Sequence, residues 1–524
     1  MKRKDFLKQI ALSTAAVTMG SYSLKAASSG INWLDNPIYD TDRVLVIVRL
    51  AGGNDGLNTL IPLNQYDNYK KARPNVAIAQ NKALPIKNNT TLGFHPSMSE
   101  IQALYAEDKV QIVQSVGYPD QDFSHFRSTD IWMTGADSNQ LLNTGTIGRY
   151  LKTEYPNYPI GYPNSTMPDP LCIEVGYTQS LIFQGPLTGM GFTISSPDDF
   201  YKLIEGVQAP SPPTPAGEQL DYVRLVKSQS NQYGSIIKKA HEKVKIHKPY
   251  PVNNRLADQL KIVAGLIAGG LKTRIYMVTL DEFDTHDSQV DTTDTSKGEH
   301  SVLLQQLSQA IKAFQDDLTF LGIEKRVLSM TMSEFGRRIK SNASRGTDHG
   351  AAAPMFLFGS AVKSGILGKN PTIAATVTDA DNIPMQYDFR SVYYTILKEW
   401  FCVNDQNLQE IMLKNYQPLS LLKTTNCITT DIHEANQIAG DVVLTTYPNP
   451  FVNRIKVDFV SAGGQVMMQI FNGAGQSVAT LLQGYYPPGN HSTEWEAEHL
   501  PTGLYYVRFQ NGSVQQVNMV MKAK

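Results

Sequence analysis

The sequence is poor in cysteine, in net charge and in long apolar runs. Its three cysteines, Cys172, Cys402 and Cys427, lie far apart and form no C-x-x-C pair, which excludes a disulfide framework and a cysteine-rich zinc site. We therefore expect buried thiols. The 47 basic and 48 acidic side chains leave a net charge of −1, so no overall field attracts nucleic acid or an anionic membrane. No run after the first 27 residues reaches the roughly 18 apolar residues that suggest a transmembrane helix, so no transmembrane segment is expected.

The first 27 residues have the composition of an export signal. A basic start around Arg3 precedes a short, weakly apolar stretch, Ile10–Gly20, and the small residues Ala26 and Ala27 offer a cleavage site. The start resembles a twin-arginine signal in which lysine replaces the second arginine, so the folded and the unfolded export routes both stay open. We expect residues 1–27 to be a signal peptide and the protein to be exported across the inner membrane.

The next part of the chain, residues 28–423, alternates between predicted strands and helices. Strands that are buried on both faces are near-continuous apolar runs, and four such runs are Arg43–Leu50, Lys109–Val116, Arg274–Leu280 and Val327–Met332. Stretches with helical spacing, such as Arg255–Ala268 and His300–Phe320, lie between them. This alternation predicts an α/β domain with a mostly parallel sheet flanked by helices.

The composition changes after about Leu422, and from there short alternating strands are separated by turn signals. Strands of that length and spacing are typical of a β-sandwich. We therefore predict a linker over residues 424–442 and a separate C-terminal β-sandwich over residues 443–524.

Polar side chains follow the predicted strands, where an open α/β sheet places its site. The candidate metal ligands are Asp55, Asp284, His286, Glu334, Asp348 and His349. Carboxylate and imidazole groups on glycine-rich loops suit a divalent metal ion, and the mixed nitrogen and oxygen set does not choose between zinc, calcium and manganese. Two alternatives stay open: Asp55 as a turn-former in an Asp-Gly loop, and Val327–Gly359 as a salt-bridged surface loop.

Four further residues are candidates for the chemistry. Ser124 precedes a predicted helix that begins near His125, so its hydroxyl would lie at an anion-binding helix end and could be a nucleophile. The alternative is a plain N-cap, because serine is favoured at that position. His125 could itself be the covalent or acid–base group, and Arg127 or Arg337 could bind an anion bidentately.

The tail resembles a type A sorting domain of the type IX secretion system. The hallmarks are Tyr447–Phe451 (YPNPF), Phe471–Gln476 (FNGAGQ) and Leu500–Arg508 (LPTGLYYVR). The resemblance covers about Val443–Lys524. It implies that the type IX machinery is a partner, and that the protein crosses the outer membrane and is then released or attached to the cell surface.

Residues from about Leu45 to Leu421 resemble a bacterial family catalogued as domain of unknown function 1501, which is related to the alkaline phosphatase and sulfatase superfamily. The motifs that carry the resemblance are Gly52–Asn58 (GGNDGLN), Phe283–His286 (FDTH), Ser333–Arg337 (SEFGR) and Gly346–Gly350 (GTDHG). The resemblance implies an alkaline phosphatase-like fold.

The superfamily's usual site has an aspartate after the first strand, then a nucleophile at a helix start, then an Asp…His pair. The resemblance puts Asp55, Ser124 and the pair Asp284 and His286 in these three positions.

An Asp-His pair and a last histidine complete that site. Asp348 and His349 could be the pair, but they do not directly follow a predicted strand. We prefer Glu334 in the aspartate's place, Phe335 in place of a ligating histidine, and His349 as the last histidine. This assignment leaves a two-metal site one ligand short.

The leading hypothesis is an exported, metal-dependent hydrolase of small-molecule or polymer-borne phosphate or sulfate esters. Asp55, Asp284, His286 and His349 would hold the ion, and Glu334 and Asp348 would be ligands or would orient ligands. The rival hypothesis is a non-catalytic surface binding or scaffold protein that keeps the fold, which Phe335 favours.

Overall fold

A computed structural model of the chain describes residues 42–195, 215–423, 427, 444–461, 463–472, 476–487, 489–511 and 514–523. The chain divides into two compact units, Met1–Thr425 and Asn426–Lys524. The predicted signal peptide, and the predicted linker apart from Cys427, lie outside the described residues.

The first unit is built around one mixed sheet and two small ones. Its strands are β1 Val44–Leu50, β2 Leu60–Pro62, β3 Leu84–Ile86, β4 Asn89–Phe94, β5 Val110–Gly117, β6 Cys172–Val175, β7 Gly191–Ile194, β8 Ile275–Leu280, β9 Val327–Met332, β10 Gly336–Arg337, β11 His349–Gly350, β12 Ala353–Phe358, β13 Gly365–Leu367 and β14 Tyr387–Asp388. The main sheet has the order β13-β5-β12-β9-β1-β8-β6-β7, and β14 also pairs with β5. Strand β12 runs antiparallel to β5 and β9, whereas the other pairs of this sheet are parallel.

Helices cover both faces of the main sheet. The α-helices described in this unit are α1 Gly56–Thr59, α2 Tyr66–Ala72, α3 Ser99–Ala106, α4 His125–Thr134, α5 Thr146–Glu154, α6 Pro215–Lys243, α7 Arg255–Ala268, α8 Glu299–Phe320, α9 Phe389–Thr395 and α10 Asp405–Met412. Helices α1 and α2 pack in a separate apolar cluster. Alternate residues of β1 point to opposite faces. Val46 and Val48 pack with α3, α6, α7 and α8, while Leu45 and Ile47 pack with α4, α5, α9 and α10. The predicted mostly parallel α/β sheet with flanking helices is therefore confirmed.

The continuous apolar runs were good predictors of the central strands. β1, β5, β8 and β9 lie within a residue or two of their predicted bounds, and α7 has the predicted bounds. No strand is predicted for the residues of β6 and β7, which lie in or next to a stretch rich in proline, glycine and tyrosine, residues 150–190. Helix α9 continues into a π-helical turn, Ile396–Trp400.

The expectation of three buried thiols is only partly correct. Cys172 is a free and buried cysteine. Neither Cys402 nor Cys427 is a free thiol, so spacing along the chain is a poor guide to their chemistry.

The second unit consists of two antiparallel sheets. Its strands are β15 Leu444–Tyr447, β16 Arg454–Ser461, β17 Gly464–Asn472, β18 Ser477–Tyr486, β19 Gly489–Glu496, β20 Gly503–Asn511 and β21 Val514–Lys522. The sheets have the orders β15-β16-β19 and β18-β17-β20-β21. Inward residues of both, such as Val457 and Val507, form one core, which confirms the predicted small β-sandwich. None of the described helices in the chain is long and apolar enough to cross a membrane.

Candidate metal centre

One edge of the main sheet collects polar side chains from distant parts of the sequence. The carboxyl ends of the parallel strands β1, β5, β8 and β9 meet there, and the antiparallel strand β12 begins there. Asp284 and His286 follow β8, Glu334 follows β9, His125 begins the helix after β5, and His349 precedes β12. The sheet therefore brings these five residues to one place.

The closest contacts are among Asp284, His286 and His349. The Nε2 atoms of the two histidines are 2.8 Å apart. The Oδ1 atom of Asp284 lies 3.1 Å from Nε2 of His286 and 3.3 Å from Nε2 of His349. Ligand atoms at the corners of a tetrahedron with metal bonds of about 2.0 Å are roughly 3.3 Å apart. The spacing and the donor chemistry of these three residues therefore fit one divalent ion.

Each of these ligand side chains has a partner that fixes its orientation. Nδ1 of His349 lies 2.7 Å from the carbonyl oxygen of Phe123, and Nδ1 of His286 lies 3.2 Å from Oδ1 of Asp348. Such partners direct the opposite ring nitrogen toward a metal. Asp348 also accepts a hydrogen bond from Asn342, which is the largest influence that holds the pKa of Asp348 below its ordinary value. Burial lowers the pKa of His349, which favours the neutral, ligating form.

Arg337 holds Asp284 in position. Its Nη2 atom lies 2.8 Å from Oδ1 of Asp284 and also donates to the carbonyl oxygens of Gly52 and Phe283. Its Nε and Nη1 atoms donate to the carbonyl oxygens of Gly53 and Thr347. Burial alone would raise the pKa of Asp284, but the hydrogen bond and charge of Arg337 outweigh it, so that the pKa falls to about 2. The buried guanidinium is fully engaged with the protein, which contradicts the expectation that Arg337 binds a substrate anion.

His125 is a fourth group at this centre. Together with Asp284 and His349 it forms a set of side chains that could hold a metal ion. Its Nδ1 lies 3.0 Å from Oε1 of Glu334, and its Nε2 lies 3.3 Å from Oδ2 of Asp284. The hydrogen bond with Glu334 is the main cause that raises the pKa of His125. Glu334 is itself buried, and its Oε1 also accepts a hydrogen bond from the backbone of Gly52 at 2.8 Å.

Phe335 forms an apolar wall of the centre. Its ring centroid is 4.9 Å from that of His125 and 4.4 Å from that of His349. A Cβ atom at Gly53, where φ is +84°, would lie 2.4 Å from this ring. The glycine pair after β1 therefore serves close packing as well as the turn that the sequence indicated.

Asp55 lies outside this group of contacts. Its carboxylate accepts hydrogen bonds from the backbone of Leu57, from Arg73 and from Gln289, and its closest contact with Nη1 of Arg73 is 2.6 Å. Four accepted bonds fill the lone-pair positions of a carboxylate. Burial would raise the pKa of Asp55, but the charge of Arg73 lowers it below the ordinary value. These contacts contradict the expectation that Asp55 is a metal ligand, and they make it a buried structural partner of Arg73.

Ser124 and Arg127 also have local roles. Ser124 is the N-cap of α4, and its Oγ accepts a hydrogen bond from the backbone of Arg127. The guanidinium of Arg127 donates to the carbonyl oxygens of a nearby loop, at Asp137, Ser138 and Gln140. Arg127 therefore does not join the centre as an anion-binding residue.

A cleft of about 380 Å³ opens beside the centre. Its walls include His125, Asp284 and Glu334, together with Arg49, Thr129 and Asp130. Of the three ligand side chains described above, Asp284 lines this cleft.

Residues 242–412 match the family described as Protein of unknown function (DUF1501). The match contains Asp284, His286, Glu334 and His349, whereas His125 precedes it. Residues 445–523 match the Secretion system C-terminal sorting domain. This tail implies export through the type IX secretion machinery, to the outer surface or the medium. No curated protein matches the chain.

Several solved structures are similar to the chain at low identity. A Vibrio parahaemolyticus protein in the alkaline phosphatase superfamily is 8% identical, with a TM-score of 0.30 over 100% of this chain and 92% of that one. A Bacteroides thetaiotaomicron structure from work on glycosaminoglycan metabolism is 9% identical, with a TM-score of 0.31 over 85% and 90%. PorZ, a surface component of the type-IX secretion system of Porphyromonas gingivalis, is 12% identical with a TM-score of 0.12, and this chain spans 14% of its length. TM-scores below 0.5 give no support to a shared activity.

Several residues that support the centre have no sequence signal of their own. Arg73 and Gln289 hold Asp55, and the carbonyl oxygen of Phe123 orients His349. None of them belongs to a recognisable motif. The positive φ of Phe123, +61°, is unusual for a residue other than glycine and is visible only in the structure.

Proposed function

We propose that the protein is an exported, metal-dependent hydrolase of phosphate or sulfate esters. The observation that carries the proposal is the convergence of Asp284, His286 and His349, with their ligand atoms 2.8–3.3 Å apart. They lie beside an open cleft that His125 also lines. Packing alone does not require two imidazole nitrogens and a carboxylate oxygen to face one point.

Asp284, His286 and His349 would hold the ion. A set of two nitrogens and one oxygen suits zinc or manganese better than calcium, which prefers oxygen ligands. When bound, such an ion polarises an ester oxygen and lowers the pKa of water. Arg337 and Asp348 would keep the ligands oriented through the contacts described above.

His125 is the best-placed group for proton transfer. Glu334 accepts the Nδ1 proton of His125 at 3.0 Å, so the buried Nε2, which makes no hydrogen bond and lies 3.3 Å from Oδ2 of Asp284, is left as the exchanging atom. Nε2 would take one proton from a water molecule as the water oxygen bonds to phosphorus or sulfur. It would then donate that proton to the alcohol oxygen as the ester bond breaks. A raised pKa suits a group that must hold a proton and release it near neutral pH.

A non-catalytic binding protein is the second candidate. The engagement of Asp55 by Arg73 and the apolar ring of Phe335 leave one cation position rather than two. A single ion could then serve binding alone, because a fold does not establish an activity.

Elemental analysis and turnover of an aryl phosphate and an aryl sulfate test both candidates. We expect about one zinc or manganese per chain in gently purified protein, and loss of metal and turnover in a His286→Ala, His349→Ala double variant. His499→Ala, an exposed histidine of the second unit, is the control and should change neither. Absence of stoichiometric metal from the wild type would refute the proposal, whereas bound metal without turnover would favour the binding protein.

A further inference from the structure

Arg49 is a cationic side chain in the wall of the cleft that the proposed chemistry does not use. It is the sixth residue of β1, where Leu45 and Ile47 point into the core on the side of α4 and α5. The two-residue period of a strand puts Arg49 on the same face, but at the carboxyl end of the strand, where the core gives way to the cleft.

The guanidinium of Arg49 lacks a bonding partner among the described residues. Its Nε atom is buried and makes no hydrogen bond. Arg49 is half-buried. Three buried arginines of the first unit form ion pairs instead: Arg73 with Asp55, Arg337 with Asp284, and Arg390 with Asp388 and Asp137. A buried donor without a partner costs free energy, and the unpaired guanidinium of Arg49 is therefore available to a group that is supplied from the cleft.

Glu174 does not supply such a partner. Burial raises the pKa of Glu174, and the charge of Arg49 only partly counteracts this. Both carboxylate oxygens of Glu174 bind Ser180 instead, at 2.6 and 2.7 Å. Arg49 and Glu174 therefore interact through their charges alone, without a hydrogen bond.

Carboxylates dominate the rest of the cleft wall. Asp130, Asp284 and Glu334 contribute them, and Arg49 is the arginine among the lining residues. Arg49 therefore offsets their repulsion of an anionic ligand, together with His125 and a bound ion. The planar donors of a guanidinium match two oxygens of a tetrahedral oxyanion.

We propose that Arg49 determines specificity by binding the phosphate or sulfate group of the substrate. This inference rests on the proposed function in that the bound anion is the reacting group. The cleft also offers Thr129 and Asp130 to the hydroxyl groups of the ligand, and the ring of Phe126, which is 87% exposed, to its apolar part. A polyhydroxylated alcohol such as a sugar would use all three.

The test is calorimetric titration of the metal-loaded protein with inorganic phosphate and, separately, with inorganic sulfate. We expect Arg49→Gln to weaken binding of at least one anion about tenfold or more, the loss expected for a hydrogen bond to a charged group. Arg49→Lys should retain part of the affinity. Arg255→Gln removes an exposed arginine on the opposite face of the sheet and should bind like the wild type. The anion that binds with the higher affinity identifies the ester class.

The melting temperature in anion-free buffer separates binding from a structural role. Because Arg49 has no partner to lose, Arg49→Gln should melt at or above the wild-type temperature, and phosphate or sulfate should raise the melting temperature of the wild type only. A lower melting temperature of Arg49→Gln, or unchanged affinity for both anions, would overturn the proposal. Protection of Arg49 from phenylglyoxal by the anion, mapped in the wild type by mass spectrometry, supports it without any variant.

The two proposals fail in different ways. Anion binding that depends on Arg49 in a protein without ester turnover would support the role of Arg49 and refute the hydrolase. Turnover with the same kcat/KM in Arg49→Gln and wild type would support the hydrolase and refute the role of Arg49.

Discussion

The Nε2 atoms of His286 and His349 lie 2.8 Å apart, although the two residues are 63 positions apart in the chain. The Nδ1 atom of each ring has a partner that fixes the orientation of the ring. The partner is Asp348 for His286 and the carbonyl oxygen of Phe123 for His349. With Nδ1 of both rings directed away, both Nε2 lone pairs can face one cation. This orientation is what distinguishes a candidate metal centre from a surface cluster of charges.

Gly52 sets the position of this centre relative to β1. Its φ is +120°, and a Cβ atom there would lie 2.3 Å from the backbone nitrogen of Asp284. Gly52→Ala should therefore cost about 1–3 kcal/mol from backbone strain and should displace Asp284, so that metal content falls. Melting temperature and elemental analysis measure the two effects.

Gly176→Ala is the matched control for that change. Nothing lies within 4 Å of a Cβ atom built at Gly176, so stability and metal content should stay at the wild-type level. Equal behaviour of the two variants would show that the close approach at Gly52 is unimportant.

Asp55 and Arg73 form a buried ion pair with side chains at 0% exposure. Asp55→Asn leaves Arg73 without its counter-charge, and breaking a buried pair in this way costs about 3–5 kcal/mol. Metal content should nevertheless stay at the wild-type level, because Asp55 does not contact Asp284, His286 or His349. Urea unfolding and elemental analysis check both statements, with the exposed Asp287→Asn as the control. Loss of the metal without loss of stability would restore Asp55 as a ligand.

How much the sequence could predict depended on how local the determining interactions are. β1, β5, β8 and β9 were predictable because burial on both faces requires continuous apolar runs. Strands β6 and β7 have four residues each, too few for a periodic pattern. Their membership in the sheet depends on the pairing of β6 with β8 and of β7 with β6, which are tertiary interactions.

The same distinction applies to the candidate site. The rule that ligands lie beyond strand ends was enough to select Asp284, His286, Glu334 and His349, which the fold brings together. It could not separate them from Asp55 and Arg337, which also follow strands. Their roles are decided by Arg73, and by the carbonyl oxygens of Gly52 and Gly53. These partners are distant in the chain from the residues that they hold, so that the pairing has no local signature.

His300 makes the stability of the protein sensitive to acid. Burial lowers its pKa from 6.5 to about 4, and its Nε2 lies 3.0 Å from Oδ1 of Asn54. The folded protein therefore binds fewer protons than the unfolded chain between these values. The stabilisation is complete above pH 6.5 and is lost as the pH falls toward 4.

Replacement of His300 should remove this part of the pH dependence. Between pH 7 and pH 5, His300→Gln should lose about 2 kcal/mol less free energy of unfolding than the wild type. Urea unfolding at both pH values, with a chelator present so that metal release does not contribute, measures the difference. His499→Gln, at an exposed histidine, should show the same pH dependence as the wild type. If the free energy of unfolding of His300→Gln changed with pH as it does in the wild type, the prediction would be wrong.

Ser124 and His125 are adjacent but should respond differently to replacement by alanine. Oγ of Ser124 caps α4 through a long hydrogen bond of 3.4 Å to the backbone of Arg127. Ser124→Ala should therefore cost about 1 kcal/mol or less of stability and keep most of the turnover. His125 carries the Nε2 atom that faces Asp284 at 3.3 Å, so His125→Ala should lose about a hundredfold or more in kcat, the usual contribution of an acid–base group.

The pH profile decides whether His125 transfers protons or only shapes the centre. Glu334→Gln removes the main cause of the raised pKa of His125, so the acidic limb of kcat/KM should shift to lower pH while metal content stays constant. A structural role would lower activity equally at every pH. If Ser124→Ala instead abolished turnover with unchanged metal and melting temperature, the reaction would pass through a covalent intermediate on Ser124, and His125 would serve that serine rather than water.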